Sequence, residues 1–79
     1  METRNLEYLF MKEVGLLISD LRDEKNITKQ EFAKLTGLNR QHLYYVEIGK
    51  RATTIYTLSI IANVLEVSLS DFFMQLEER

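Results

Sequence analysis

The stretch from Thr28 to Gly49, TKQEFAKLTGLNRQHLYYVEIG, decides the fold of this 79-residue chain. Thr28 followed three residues later by Glu31 has the spacing of a capping box, which starts a helix at residue 29. Gly37 then interrupts the helical pattern, and Asn39 is suited to cap a second helix that begins at residue 40. Gly49 comes where a left-handed residue commonly ends a helix. The stretch therefore predicts two short helices joined by a tight turn.

Apolar side chains within this stretch predict how the two helices pack. Ala33 lies where the helices would cross, and its small side chain allows close approach. The contact between the helices is assigned to Leu35, Leu38, Leu43 and Val46. This is the layout of a helix-turn-helix, whose second helix can enter the major groove of DNA.

Helical periodicity also governs the rest of the chain, and no segment alternates with the period of a strand. Thr54 and Ser68 are suited to cap two further helices. We predict a single all-α domain over residues 1–79, with helices at about 5–25, 29–36, 40–48, 55–65 and 69–77. Within it, residues 1–13 are an N-terminal extension of the first helix, residues 28–49 are the helix-turn-helix, and residues 68–79 form the C-terminal helix.

The first helix has one apolar face along its whole length. That face carries Leu6, Phe10, Val14, Leu17 and Leu21. Gly15 is a weak point inside the helix, because glycine has a low helix propensity.

The composition excludes several classes of protein. With no cysteine and one histidine, the chain offers neither a disulfide, a thiolate metal site nor a thiol nucleophile. No pair of side chains is spaced for acid–base catalysis, so we expect neither an enzyme nor a metal or cofactor site. The chain has no apolar run of membrane-spanning length and no signal peptide, which favours a cytoplasmic protein without a membrane partner.

Charge is unevenly distributed along the chain. Residues 29–51, which we call the basic segment, carry five basic and two acidic side chains, although the whole chain has a net charge of −2. An acidic protein with a basic middle is expected to bind anions through that middle. Chance clustering of a few charges explains the same pattern, and charge alone does not separate the two interpretations.

An ordered set of motifs between about Val14 and Phe73 resembles the lambda-repressor-like, or Xre-type, helix-turn-helix regulators. The resemblance implies a compact five-helix DNA-binding domain. The short length and the Arg51-x-x-Thr54 segment are most similar to controller proteins of restriction–modification systems, but phage repressors and antitoxins share the framework. The matching motifs are Ile18-x-x-Leu21-Arg22, Thr28-Lys29-x-Glu31-Phe32-Ala33, Gly37-Leu38-Asn39-Arg40, Glu47-x-Gly49-Lys50-Arg51, Thr57-Leu58, Ala62 and Leu65-Glu66-Val67.

The resemblance implies which residues face the bases of DNA. In the family, the positions that match Asn39, Arg40, Gln41 and Tyr45 face base edges. Tyr44 lies on the same side of the predicted helix and is added to them. Arginine can bind guanine O6 and N7 together, and glutamine can bind adenine N6 and N7. A solvated helix face is the competing interpretation. The predicted base contacts are Asn39, Arg40, Gln41, Tyr44 and Tyr45.

Contacts to phosphate are predicted at the start of the second helix and around the loop after the third. A helix N-terminus adds backbone N–H groups and a positive dipole end. His42 is either a contact to the backbone or to a flexible base step, or an ordinary surface histidine. The predicted phosphate contacts are Lys29, His42, Lys50, Arg51, Thr53 and Thr54.

Three further residues receive structural or assembly roles. In the family that the chain resembles, the residues matching Arg22 and Glu47 form an ion pair between the first helix and the end of the third. Phe73 is assigned to a two-fold dimer contact, because the last helix has more apolar surface than one face can bury. Packing of Phe73 under the N-terminal extension is the alternative.

The predicted function is a sequence-specific, DNA-binding transcriptional regulator that acts as a homodimer on an inverted repeat. Its expected partners are double-stranded DNA, a second copy of the chain and, as a further candidate, RNA polymerase. The alternative is an antitoxin-type module whose main partner is a toxin protein.

Overall fold

The computed structural model describes the backbone of residues 3–79 and the side chains of residues 6–79. This part of the chain forms five helices and no strand, so the all-α, five-helix prediction is confirmed. Each end lies within two residues of its predicted position. Of the predicted N-terminal extension, residues 3–13 belong to the first helix and residues 1–2 lie outside the described part. The helices are α1 (Thr3–Glu24), α2 (Lys29–Thr36), α3 (Arg40–Glu47), α4 (Ile55–Val64) and α5 (Leu69–Glu77).

Four of the helices begin at a side-chain cap. The oxygens of Thr28, Asn39, Thr54 and Ser68 each accept a hydrogen bond from the backbone N–H three residues later, at 3.0–3.1 Å. At Thr28 the capping box is complete, since Glu31 Oε1 accepts from the Thr28 N–H at 3.1 Å. These bonds satisfy backbone donors that a helix start otherwise leaves without a partner.

The helices α1, α3 and α4 end in the same way. In each, a left-handed residue follows the helix, at Asn26 (φ 56°), Gly49 (φ 78°) and Glu66 (φ 61°). Backbone bonds close each end, as at α3, where the N–H groups of residues 49 and 50 donate to Val46 O at 3.1 Å and Tyr45 O at 2.9 Å. This is the Schellman arrangement, which normally uses glycine, because other residues are strained at positive φ.

One hydrophobic core joins the five helices. α1 packs against α3 and α5, α2 packs against α3 and α4, and α4 packs against α5. Each helix contributes at least one fully buried apolar side chain. The buried apolar residues are Val14, Leu17, Ile18, Leu21, Phe32, Leu43, Val46, Leu58, Ile61, Ala62, Leu65 and Phe72.

Glycine lets α1 and the end of α3 approach each other closely. A Cβ at Gly15 would overlap the carbonyl oxygens of Val46 and Glu47, and a Cβ at Gly49 would lie 2.8 Å from the Cα of Lys12. Gly15 is therefore a close-packing position, and its role in the fold outweighs its low helix propensity.

One expectation about packing was wrong. Leu35 is 60% exposed, because the buried face of α2 is formed by Phe32 and Thr36 instead. Leu6 and Phe10 are each 55% exposed, although they continue the apolar face of α1. The 22-residue α1 is longer than its neighbours α3 and α5, which have 8 and 9 residues, so its first turns extend beyond both.

No single helix in residues 3–79 combines the length and hydropathy needed to cross a membrane. Only α4 and α5 taken together reach that combination, and they are bent by 96° at the break between them.

Candidate nucleic-acid interface

α3 has an inner face that packs into the core and an outer face that meets solvent. Leu43 and Val46 are buried on the inner side, at 3% and 1% exposure. The outer face consists of Arg40, Gln41, Tyr44 and Tyr45, of which the first three are exposed and Tyr45 is half-buried. Four of the five residues predicted to contact bases thus lie on one surface, and the fifth, Asn39, is the cap that begins α3.

A buried ion pair holds the end of α3. Arg22 Nη2 lies 3.0 Å from Glu47 Oε1, and Arg22 Nε donates to both carboxylate oxygens at 3.2–3.3 Å. Arg22 Nη1 also donates to Ile27 O at 2.8 Å. Because the two residues are only 6% and 7% exposed, one arginine ties together the end of α1, the following turn and the end of α3.

Thr36 fixes the turn between α2 and α3. Its buried hydroxyl lies 2.8 Å from Phe32 O, to which it donates, and it accepts from the Leu38 N–H at 3.2 Å. Gly37 follows in the left-handed conformation, and its N–H donates to Ala33 O at 2.9 Å. The turn through Thr36, Gly37 and Leu38 was predicted from the sequence, but the bonding role of the Thr36 hydroxyl was not, although a threonine at a helix end can form such local bonds.

Two cations flank the outer face of α3, and each lies over a tyrosine ring. Lys29 Nζ, from the first turn of α2, is 5.2 Å from the centre of the Tyr44 ring. Arg51 Cζ, from the turn after α3, is 5.6 Å from the centre of the Tyr45 ring. The rings themselves are 5.7 Å apart and tilted by 54°. The outer face therefore has a positive group at each flank.

The outer face is a ridge between two surface grooves. One groove contains Lys29 and Tyr44, and the other contains Arg51 and Tyr45. The first is lined by Lys29, Asn39, Arg40, Gln41, Leu43, Tyr44 and Glu47, and the second by Asn39, Gln41, His42, Tyr45 and Arg51. Most residues predicted to touch DNA line one of these grooves.

Local hydrogen bonds restrict some of the predicted contacts. Asn39 Oδ1 accepts the His42 N–H, which leaves the Asn39 amide nitrogen to donate to a base. Thr54 Oγ1 caps α4 and donates to Thr57 Oγ1 at 3.0 Å. A phosphate contact from the Thr54 hydroxyl therefore requires that bond to break. Lys50 and Arg51 are exposed, whereas Thr53 is half-buried beside the cap.

The two acidic residues of the basic segment are both used within the protein. Glu47 is paired with Arg22, and Glu31 closes the capping box. The Thr28 backbone N–H, followed by the Thr28 hydroxyl, lowers the pKa of Glu31 below its usual 4.5. Among the side chains of residues 6–79, the five cations of this segment have no carboxylate partner within 4.0 Å. The surface around α3 is therefore cationic, although the whole chain is acidic.

No group of three or more histidine, aspartate or glutamate side chains within the described residues is arranged to hold a metal ion.

A helix-turn-helix family model matches residues 18–72, a range that begins within α1 and ends within α5. The chain belongs to the Xre-type helix-turn-helix family. The predicted resemblance to that family is confirmed.

Proteins similar to it in sequence include one from a Bacillus phage and one from Sinorhizobium fredii. The ImmF control region 10 kDa protein of Bacillus phage phi105 is 37% identical, over 75% of this chain and 66% of the phage protein. An uncharacterized HTH-type transcriptional regulator, y4dJ of Sinorhizobium fredii, is 39% identical over 72% of this chain and 74% of its own length.

Solved structures share the fold. The restriction–modification controller protein C.Esp1396I, as a tetramer in complex with its natural 35 base-pair operator, is 32% identical and superposes with a TM-score of 0.81. The match covers 87% of this chain and 91% of that protein. The five helices therefore have the arrangement of a lambda-repressor-like controller protein.

Proposed function

We propose that the protein is a sequence-specific, DNA-binding transcriptional regulator that places α3 in the major groove. The observation that carries this proposal is the outer face of α3, where Arg40, Gln41 and Tyr44 are exposed on a helix whose inner face is fixed in the core. The operator complex of C.Esp1396I supports it, because that protein has the same fold at 32% identity.

The first turn of α3 is the part best suited to read sequence. In a helix-turn-helix, the N-terminal residues of the second helix contact base edges. Arg40 and Gln41 occupy these positions and carry side chains that bind guanine and adenine bidentately. The amide nitrogen of Asn39 provides one more donor at the same end of the helix.

Cations on both sides of α3 are suited to bind the phosphates that border the groove. Lys29 lies on one side and Arg51 on the other, and the exposed Lys50 precedes Arg51 in the chain. Contacts of this kind set the register of the protein on DNA without reading its sequence. His42 lines the same groove as Arg51, and Thr53 and Thr54 precede α4 in the following turn. These three are the weaker candidates.

The working unit is proposed to be a two-fold dimer with α5 at the interface, so that two copies read an inverted repeat. Phe73 is half-buried and packs edge-on against Phe72, with 6.0 Å between ring centres. Met74 is 58% exposed, and together with Phe73 it lines a separate surface groove along α5. We therefore place Met74 beside Phe73 in the proposed interface.

Met74→Glu is the cleaner test of this placement, because Phe73→Glu also disturbs the core. Sedimentation should show weaker association for Met74→Glu, with an unchanged melting temperature. A monomer at every concentration of the unaltered protein contradicts the dimer. A dimer that tolerates both substitutions contradicts only the position of the interface.

Both a phage-type repressor and a restriction–modification controller fit this geometry. The phi105 protein and C.Esp1396I resemble the chain at 37% and 32% identity. The genes beside the one encoding this protein distinguish the two, since a controller lies next to a nuclease and a methyltransferase. Recruitment of RNA polymerase is a further proposal, which transcription from an operator-containing promoter tests.

Selection of bound duplexes from a random pool, followed by titration across salt concentrations, tests DNA binding itself. We expect one enriched inverted repeat and an affinity that falls with a log–log slope of about −0.9 per phosphate contact. Failure to bind any duplex at low salt contradicts the proposal.

A further inference from the structure

Tyr44 and Tyr45 each contact a cation that comes from outside α3. The rings lie 5.7 Å apart, but Tyr44 lines the groove that contains Lys29, and Tyr45 lines the groove that contains Arg51. Lys29 lies over the first ring, at 5.2 Å, and Arg51 lies over the second, at 5.6 Å. The same arrangement thus occurs twice, with cations from two different parts of the chain.

A cation over an aromatic ring is held by the negative face of the ring and still has N–H groups to donate. Lys29 and Arg51 have no carboxylate partner among the described side chains that would otherwise hold them. Their flexible side chains would lose considerable rotamer freedom on binding DNA. The tyrosine rings reduce that loss by restricting each cation to the border of the outer face beforehand.

Tyr45 has a second contact that Tyr44 lacks. Gln41 Nε2 donates to the Tyr45 hydroxyl at 3.5 Å, one helical turn away. The Tyr45 ring therefore contacts a candidate phosphate ligand, and its hydroxyl contacts a candidate base reader. Among the described residues, the Tyr44 hydroxyl forms no such bond.

We propose that Tyr44 and Tyr45 are positioning residues, which hold Lys29 and Arg51 at the two borders of the groove, and that neither tyrosine reads a base. Tyr45 also orients the Gln41 amide. The inference rests on the proposed function and replaces the sequence-based expectation that both tyrosines contact bases directly.

A double-mutant cycle of Tyr44 and Lys29 tests whether Tyr44 positions Lys29. Tyr44→Phe keeps the ring and should bind the selected operator within about twofold of the unaltered protein. Tyr44→Leu should weaken binding about two- to fivefold, equally on all single-base variants of the operator. In a Lys29→Ala background, Tyr44→Leu should have no further effect, because the tyrosine acts through the lysine.

The pair Tyr45→Phe and Tyr45→Leu separates the two contacts of Tyr45. Tyr45→Phe should change preference only at the base pair that Gln41→Ala identifies and leave the salt slope unchanged. Tyr45→Leu should lower the affinity for the operator about two- to fivefold more than Tyr45→Phe does. This additional loss of affinity should vanish in an Arg51→Ala background.

NMR of the protein without DNA tests the contact between Lys29 and Tyr44. In the NMR spectrum of the full chain, ring current from Tyr44 should shift the Lys29 side-chain protons upfield. The shift should persist in Tyr44→Phe and disappear in Tyr44→Leu. Melting temperatures of all variants serve as the folding control.

The outcomes separate this inference from the function on which it rests. If the unaltered protein binds no duplex, both fail. If it binds DNA but Tyr44→Leu lowers the affinity equally with and without Lys29, only the positioning role is overturned. The same holds if Tyr44→Phe alters the base preference. An unshifted Lys29 signal overturns that role without any DNA.

Discussion

The two faces of α3 have opposite relations to the rest of the molecule, although they belong to the same eight residues. The inner face is held by the core, by the Arg22–Glu47 pair and by close contact with Gly15. The outer face has polar groups that turn to solvent and two cations beside it. The inner face therefore fixes the angle of the helix, and the outer face is available to bind another molecule. Inner-face changes should therefore alter stability, and outer-face changes should alter binding.

The largest expected effect comes from breaking the buried ion pair. Glu47→Leu leaves the buried Arg22 guanidinium with only the exposed Asp23 carboxylate, 3.5 Å from Nη1, and should lower the free energy of unfolding by about 3–5 kcal/mol. The matched control is the double variant Arg22→Met/Glu47→Leu, which removes both charges and should recover most of that loss. Urea unfolding followed by circular dichroism measures both. A loss below about 1 kcal/mol for Glu47→Leu would show that the pair does not hold the inner face.

A smaller loss is expected from adding one methyl group between α1 and α3. Gly15→Ala raises helix propensity, but its Cβ meets the backbone carbonyls at the end of α3. Overpacking should outweigh propensity and lower the free energy of unfolding by about 1–3 kcal/mol. Glu7→Ala, at an exposed position of the same helix, should change it by less than about 0.5 kcal/mol. A stabilised Gly15→Ala protein contradicts the close approach.

The smallest effect concerns the capping box and depends on pH. Because folding lowers the pKa of Glu31 from its usual 4.5, its stabilising contribution is complete above that value and is lost as the pH falls through the folded pKa. The unaltered protein should therefore be more stable than Glu31→Gln at about pH 7, and the difference should shrink as the pH falls below 4.5 and through the folded pKa. Denaturant unfolding across this pH range measures it. If the difference in stability between the two proteins does not change with pH, the charge of Glu31 does not contribute to the cap.

Local features of this fold could be predicted from sequence, and contacts between distant residues could not. The caps at Thr28, Asn39, Thr54 and Ser68 each need only a favoured cap side chain and a backbone N–H three positions later, so they are visible in the local sequence. The burial of Phe32 in place of Leu35 depends on where α3 and α4 lie. Periodicity does not contain that information.

The candidate site shows the same limit. The residue types on the outer face of α3 were evident from its sequence, because Arg40 and Gln41 follow a recognisable cap. The Lys29–Tyr44 contact was not evident, since it depends on the angle between α2 and α3. Gly15 was misjudged for a related reason: a glycine in a helix reads as a weak point until the neighbouring backbone is known.

Binding of Arg40→Ala and Arg51→Ala to a panel of single-base operator variants tests the central claim most directly. Arg40 lies at the start of the outer face, so its loss should cost about 1–3 kcal/mol on the selected site and relax preference at one base position per half-site. Arg51 lies beside the groove, so its loss should weaken all variants equally and make the salt slope shallower by about one unit. Uniform loss for Arg40→Ala, together with altered base preference for Arg51→Ala, would contradict the placement of the outer face of α3 against the bases.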